Sequence, residues 1–268
     1  MTRIVVSGAA GRMGRRILEL VQGDAETTLV AALEAESHPL VGQPVAALAA
    51  DVPADKPSDV RVASAPDAGL AADVIIDFSV PEQSVKVAAL AAERGWAVVV
   101  GTTGLDAAQK QRLAAAASKV AVLTAPNFSL GMNVLFQLVA EAARRLPGYD
   151  IEIVESHHRF KKDAPSGSAL RLAERAAEAT GRDLSKTAVY GRHGLPGERT
   201  TPEIGIHALR RGDVVGEHTV TFTTLGETLE LTHRAHSRDA FARGAVHAAK
   251  WLAGKPAGQY TFEQVLGI

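Results

Sequence analysis

The segment RIVVSGAAGRMG, from Arg3 to Gly14, decides the fold class. Arg3–Ser7 is a short apolar run without alternation, as in a strand covered on both faces. Arg12–Gln22 sets Met13, Ile17, Leu18 and Val21 on one helical face. Gly8, Gly11 and Gly14 lie between and just inside these two elements. Glycines at such a junction let the chain turn sharply and let a diphosphate approach the backbone, while the amides of the helix start face the anion. The spacing is G-x-x-G-x-x-G, a departure from the commoner G-x-G-x-x-G.

A second strand, Thr28–Leu33, leads to Glu34, 20 residues beyond Gly14. An acid there can accept hydrogen bonds from the ribose hydroxyls of a dinucleotide. A plain structural turn and an ordinary surface Glu would explain each piece alone. Strand, turn, helix and acid in order favour the dinucleotide. Arg12, Arg15 and Arg16 could approach a 2′-phosphate, whereas Glu34 would repel one, so NADH is slightly favoured over NADPH. No G-x-x-x-x-G-K-S/T string occurs, which excludes a P-loop.

The rest of the N-terminal half repeats strand and helix. Asp73–Asp77, Ala97–Val100 and Ala121–Thr124 read as strands, with helices at Glu82–Arg94 and Ala107–Lys119. This order predicts a Rossmann-like, doubly wound parallel sheet. The stretch from about Pro39 to Pro66 reads as loop with short elements. The turn Gly101-Thr102-Thr103-Gly104 and the segment Ala125-Pro126-Asn127-Phe128 each follow a strand, where a parallel sheet presents its ligand crevice.

After Asn127 the pattern changes to α+β. A helix at Leu130–Arg145 precedes a strand at Ile151–Ser156, and another helix starts near Ser168. Strands are expected at Ile204–Arg210, His218–Thr224 and Thr228–Ala235 in a mixed or antiparallel sheet, and Asp239–Leu252 returns to helix. Gly181–Thr201 reads as a long loop.

ESHHRFKKDAPSGS, Glu155–Ser168, carries the most chemistry. Five of the six residues from His157 to Lys162 are basic or can become so. Ser166, Gly167 and Ser168 then open a helix, whose free amides suit an anion. A cationic loop beside such a helix start fits a small dicarboxylate or phosphate, and its His and Lys are candidate general acids. A solvated basic face with a routine Ser cap is the competing reading of this loop alone. His193, His207, His218, His233, His236 and His247 are scattered without H-E-x-x-H spacing, so no metal site is expected.

Composition narrows the classes. The 268 residues are 46% hydrophobic and 22% charged, as in globular proteins, which excludes a disordered or coiled-coil chain. Lys plus Arg number 29 against 30 Asp plus Glu, so the net charge of -1 gives no footprint for nucleic acid. Cysteine is absent, which removes disulfides, thiolate metal sites and thiol nucleophiles. No apolar run is long enough for a membrane span, and Met1–Ser7 does not read as a signal peptide; a cytoplasmic location is the expectation.

Taken together, the chain resembles the 4-hydroxy-tetrahydrodipicolinate reductase family of bacterial lysine and diaminopimelate biosynthesis. The resemblance rests on GAAGRMGR (Gly8–Arg15), IDFSVPE (Ile76–Glu82), VVGTTG (Val99–Gly104), NFSLGMN (Asn127–Asn133), ESHHRFKKDAPSGSA (Glu155–Ala169), RRGDVVGEHTV (Arg210–Val220) and SRDAFARGA (Ser237–Ala245). It implies a dinucleotide-binding domain over residues 1–127 plus 238–268, and a domain over 128–237 that binds substrate and builds a homotetramer. It implies NAD(P)H-dependent reduction of a cyclic unsaturated imine dicarboxylate. His157 then matches the proton donor/acceptor and Lys161 the second proton donor. His158, Gly167 and Ser168 match substrate contacts. Gly8, Ala9, Ala10, Gly11, Arg12, Met13, Glu34, Gly101, Thr102, Thr103, Ala125, Pro126, Asn127 and Phe128 match cofactor contacts. Many members carry Arg after the acidic residue; here Ala35 stands there, which weakens the case for NADPH. An amino-acid dehydrogenase would share the dinucleotide signal but not the His157–Ser168 string. A redox sensor that binds the dinucleotide without consuming it would have no use for that string.

Overall fold

The structure is a computed structural model and describes residues 1–48 and 58–268. The chain forms two compact units, Met1–Ser129 with Arg238–Ile268, and Leu130–Ser237.

The first unit is built on a seven-stranded sheet. In chain order it contains β1 (Thr2–Ser7), α1 (Arg12–Gly23), β2 (Thr27–Leu33), β3 (Val62–Ala63), β4 (Val74–Asp77), α2 (Pro81–Arg94), β5 (Ala97–Val100), α3 (Ala107–Ala116) and β6 (Ala121–Thr124). The strands lie in the order β3-β2-β1-β4-β5-β6 and every neighbouring pair is parallel. Chain direction across the sheet therefore reverses between β1 and β4, and the loops after these two strands flank the switch point where such folds bind ligands. Alternate strand residues feed two apolar layers. Ile4, Val6, Val74, Ile76 and Val99 join Ile17 and Leu18 of α1, while Val5, Ile75, Val98 and Val100 join Val87 and Ala88 of α2 and Leu113 of α3. Burial on both faces explains why these strands lack polar alternation.

The second unit contains α4 (Leu130–Arg145), β7 (Asp150–His157), α5 (Gly167–Thr180), α6 (Leu184–Thr187), β8 (Ala188–Val189), β9 (Ile204–Arg210), β10 (Gly216–Thr224) and β11 (Glu227–Ala235). Its five strands form one mixed sheet in the order β11-β10-β7-β9-β8, with β7 and β9 parallel and β10 antiparallel to both its neighbours. Helices α4 and α5 cover one face, where Met132, Phe136, Leu172, Ile151, Ile153, Ile206, Val220 and Phe222 form the core.

The chain then returns to the first unit through α7 (Asp239–Leu252), β12 (Gly258–Tyr260), which adds to β6, and α8 (Phe262–Leu266).

One sequence expectation is corrected. Gly181–Thr201 is not loop throughout, because α6 and β8 lie in it; Asp183 caps α6 by accepting from the Ser185 amide at 3.1 Å. Its basic residues are not idle either: Arg192 and Arg199 both bind Glu152 of β7, at 2.9 and 3.1 Å. The C-terminal β12 and α8 had no expectation, although Thr261 and Gln264 form a capping box. The Pro39–Pro66 stretch is loop with short elements, as expected, a 3-10 turn at Val45–Ala47 and strand β3, and residues 49–57 lie outside the described residues.

Candidate active site

In the first unit Gly8, Gly14 and Gly101 leave no room for side chains. Gly8 has φ of +72°, and a Cβ on it would lie 2.6 Å from the Phe78 carbonyl oxygen. A Cβ on Gly14 would lie 2.0 Å from the Gly8 carbonyl oxygen, so α1 starts directly against the turn. A Cβ on Gly101 would strike the Phe78 ring at 2.2 Å. The Gly8 and Ala9 amides both donate to the Leu33 carbonyl, at 3.0 and 3.1 Å. The amides of Arg12, Met13 and Gly14 have no hydrogen-bond partner among the described residues, and the first turn of α1 carries no acid and no side-chain cap. That is the environment a diphosphate needs. Glu34 follows β2 and accepts from the Ala10 amide at 3.0 Å through Oε2, which joins the acid to the glycine turn.

Asp77, at the end of β4, organises the neighbouring loops. Its carboxylate is wholly buried and accepts from Ser79 Oγ at 2.7 Å, Ser84 Oγ at 2.5 Å and Thr102 Oγ1 at 3.1 Å. The Ser79 amide donates to Thr102 Oγ1 at 3.2 Å. Three hydroxyls thus satisfy one buried charge and tie the turn after β5 to the switch point. The Phe128 ring is buried and stacks with Phe78 and Phe262, with centroids 5.5 and 5.4 Å apart, so its side chain belongs to the core.

In the second unit the chemistry lies where an apolar sheet face turns polar. Residues two apart on a strand share a face. Along β7 the covered face reads Ile151, Ile153, Glu155, His157. On β10 the residues opposite are Phe222, Val220 and His218, and on β9 they are Ile204, Ile206, Ala208 and Arg210. Glu155, His157, Arg210 and His218 therefore converge beyond the edge of the core. Glu155 is fully buried. Its Oε2 lies 2.5 Å from His157 Nδ1, and Arg210 grips both oxygens at 2.9 and 3.0 Å. The Ser166 amide adds a third contact at 3.0 Å. Ser166 caps α5 by accepting from the Ala169 amide at 3.2 Å, and its hydroxyl also lies 3.2 Å from His218 Nε2. Lys161 pairs with Asp163 at 3.0 Å. The anion-facing start of α5 is thus held against the histidine cluster by one serine.

Burial pushes the Glu155 carboxyl up, but the hydrogen bonds from His157 and Arg210 outweigh it and hold it at about 2. Burial, then the charge on His157, pushes His218 down to about 3, which keeps it neutral. Both shifts have the same consequence in acid. Glu155 stabilises the fold above its ordinary 4.5 and loses that contribution as pH falls toward 2. His218 remains unprotonated below 6.5, where the unfolded chain takes up a proton, so stability declines from there downward. Thermal melts should show a melting temperature that falls as pH drops below about 6.5 and falls more steeply below about 4.5. His218→Asn should remove part of the upper slope; a flat profile between these values would contradict the account.

The site residues expected from sequence fall into two groups. Gly8 to Met13, Glu34, Gly101 to Thr103 and Ala125 to Phe128 lie at the carboxyl ends of β1, β2, β5 and β6. His157, His158, Lys161, Gly167 and Ser168 lie between the end of β7 and the first turn of α5. Sequence reading gave no role to Glu155, Arg210, Asp77 or His218, and placed His218 among scattered histidines. The Glu155-x-His157 spacing on a strand was the one available signal. Among the described residues no cluster of His, Asp and Glu could hold a metal ion, and no helix is long and apolar enough to cross a membrane.

Comparison with known proteins gives a consistent picture. The family model described as dihydrodipicolinate reductase, N-terminus, matches residues 2–128, and its C-terminus counterpart matches residues 131–266. A 4-hydroxy-tetrahydrodipicolinate reductase of Anaeromyxobacter dehalogenans is 50% identical over 270 residues, covering 100% of this chain and 98% of that protein. One of Laribacter hongkongensis is 48% identical over 268 residues, covering 99% and 98%. Among solved structures, a dipicolinate-bound dihydrodipicolinate reductase from Paenisporosarcina sp. TG-14 matches with a TM-score of 0.73 and 25% identity, covering 97% of each chain.

Proposed function

This chain belongs to the dihydrodipicolinate reductase family, and from that premise we propose how its own residues carry out the reduction of 4-hydroxy-tetrahydrodipicolinate, via dihydrodipicolinate, to tetrahydrodipicolinate. The observation that carries the reading is the convergence of Glu155, His157 and Arg210 beside the start of α5. A bound reduced nicotinamide supplies the hydride. The amides of Arg12, Met13 and Gly14 hold its diphosphate, Glu34 its ribose, and the backbone of Gly101 to Thr103 and Ala125 to Phe128 its nicotinamide half. His158 and the start of α5 at Gly167 and Ser168 hold the substrate carboxylates and so fix the ring. Lys161 and protonated His157 stabilise the charge that develops on the ring nitrogen and the adjacent carbon, and one of them returns a proton.

The preference for NADH is supported by Glu34, whose carboxylate would face a 2′-phosphate, and by Ala35, which offers no cation to offset it. The homotetramer built by the second unit rests on the family resemblance, and a cytoplasmic setting on the sequence reading of the N-terminus and of the apolar runs.

Loss of nicotinamide absorbance, measured with NADH and with NADPH on enzymatically generated substrate, tests both levels. NADH is expected to serve at least as well as NADPH. A preference for NADPH above about tenfold, some 1.4 kcal/mol, would overturn the role given to Glu34 and Ala35. Binding of NADH without its consumption would leave a sensor, not a reductase.

A further inference from the structure

We propose that Glu155 is a positioning residue for the reduction: it selects the nitrogen of His157 that meets the substrate and stabilises the protonated ring until Nε2 delivers its proton. The inference rests on the role given to His157 above.

Glu155 and His157 stand two residues apart on β7, and Oε2 lies 2.5 Å from Nδ1. The carboxylate cannot swing away. Arg210 of β9 holds both its oxygens, at 2.9 and 3.0 Å, and the Ser166 amide at the start of α5 holds Oε1 at 3.0 Å. An ionised carboxylate only accepts hydrogen bonds, so Nδ1 carries the hydrogen of the bond. Neutral His157 then presents a bare Nε2, and protonated His157 presents Nε2–H. Gly216 of β10 leaves this nitrogen accessible: a Cβ there would stand 3.2 Å from Nε2.

The charges around the ring make the carboxylate necessary. Glu155 faces it from β7, Arg210 from β9, His218 from β10 with ring centroids 5.3 Å apart, and Lys161 with its partner Asp163 follows in the next loop. Glu155 offsets Arg210 and Asp163 offsets Lys161. Without Glu155 the imidazolium would stand among uncompensated cations. A carboxylate present only to neutralise Arg210 would need no bond to His157, which separates the positioning role from a structural one.

Nitrogen-15 NMR of the full-length, histidine-labelled protein reads the arrangement directly, with the His157 signals assigned by their loss in His157→Gln. Wild-type His157 should lose its proton from Nε2 and settle in the Nδ1–H form. In Glu155→Gln the side-chain amide donates to Nδ1, so the neutral ring should switch to Nε2–H. Turnover should fall about tenfold or more, with a smaller change in KM. Glu155→Asp should restore part of the loss. A wild-type ring in the Nε2–H form would overturn the proposal even if Glu155→Gln did not fold. A wild-type tautomer together with wild-type turnover in Glu155→Gln would overturn it as well. Absence of reduction by the wild-type protein would instead remove the function assigned above and leave the tautomer measurement intact.

Discussion

His157→Ala is expected to lower turnover by roughly 10²–10⁴-fold, the span of a lost general acid, with only a modest fall in melting temperature and little change in dinucleotide affinity. The reason for the separation is geometric. The ring sits at the polar end of the β7 face, beyond Ile151 and Ile153, and the buried carboxylate beneath it keeps Arg210 and the Ser166 amide when the imidazole is gone. No buried charge is orphaned, which is the circumstance that makes polar deletions destabilising. The glycine turn belongs to the other compact unit and has its own hydrogen bonds. Steady-state kinetics, a thermal melt and a cofactor titration on the purified variant check all three statements. Turnover at the wild-type level would remove His157 from the role of acid.

Lys161→Ala should damage both turnover and apparent affinity, turnover by about 10²-fold or more, because the ammonium is assigned charge stabilisation and its positive charge also attracts an anionic substrate. Stability should hardly move. The partner Asp163 is largely exposed, with 63% of its side-chain surface accessible, and such surface pairs contribute only ~0–1 kcal/mol. Lys161→Arg is the sharper control. It keeps the positive charge and restores part of the affinity, but a guanidinium does not give up its proton, so turnover should stay low. Full recovery by Arg would show that Lys161 acts as a charge alone.

The two signals that sequence carried best are local. A strand, a glycine turn and a helix occupy consecutive residues from Thr2 to Gly23, and the helix-start loop occupies His157 to Ser168, so each can be read without knowing what lies elsewhere. The parts that escaped are set by register. Arg210 meets Glu155 and His157 because β9 runs parallel to β7, and His218 meets Glu155 because β10 runs antiparallel to it. Nothing in the spacing from 155 to 210 or 218 encodes these pairings. Asp77 escaped for a related reason: at the end of an apolar strand it looks like a boundary residue, and its hydroxyl partners come from two separate loops and the first turn of α2. In the Gly181–Thr201 segment the glycines and prolines outweighed the short α6, whose four residues fall below the length at which periodicity is visible.

The role proposed for the end of β7 and the start of α5 is to grip a dicarboxylate ring for reduction. The most direct measurement is a crystal structure of the wild-type protein with dipicolinate and a nicotinamide dinucleotide. Carboxylate oxygens are expected on His158 and on the amides of Gly167 and Ser168, with His157 Nε2 or Lys161 Nζ within roughly 3.2 Å of a polar atom of the ring compound. Density for dipicolinate away from these residues, with the dinucleotide bound at the glycine turn, would contradict that role.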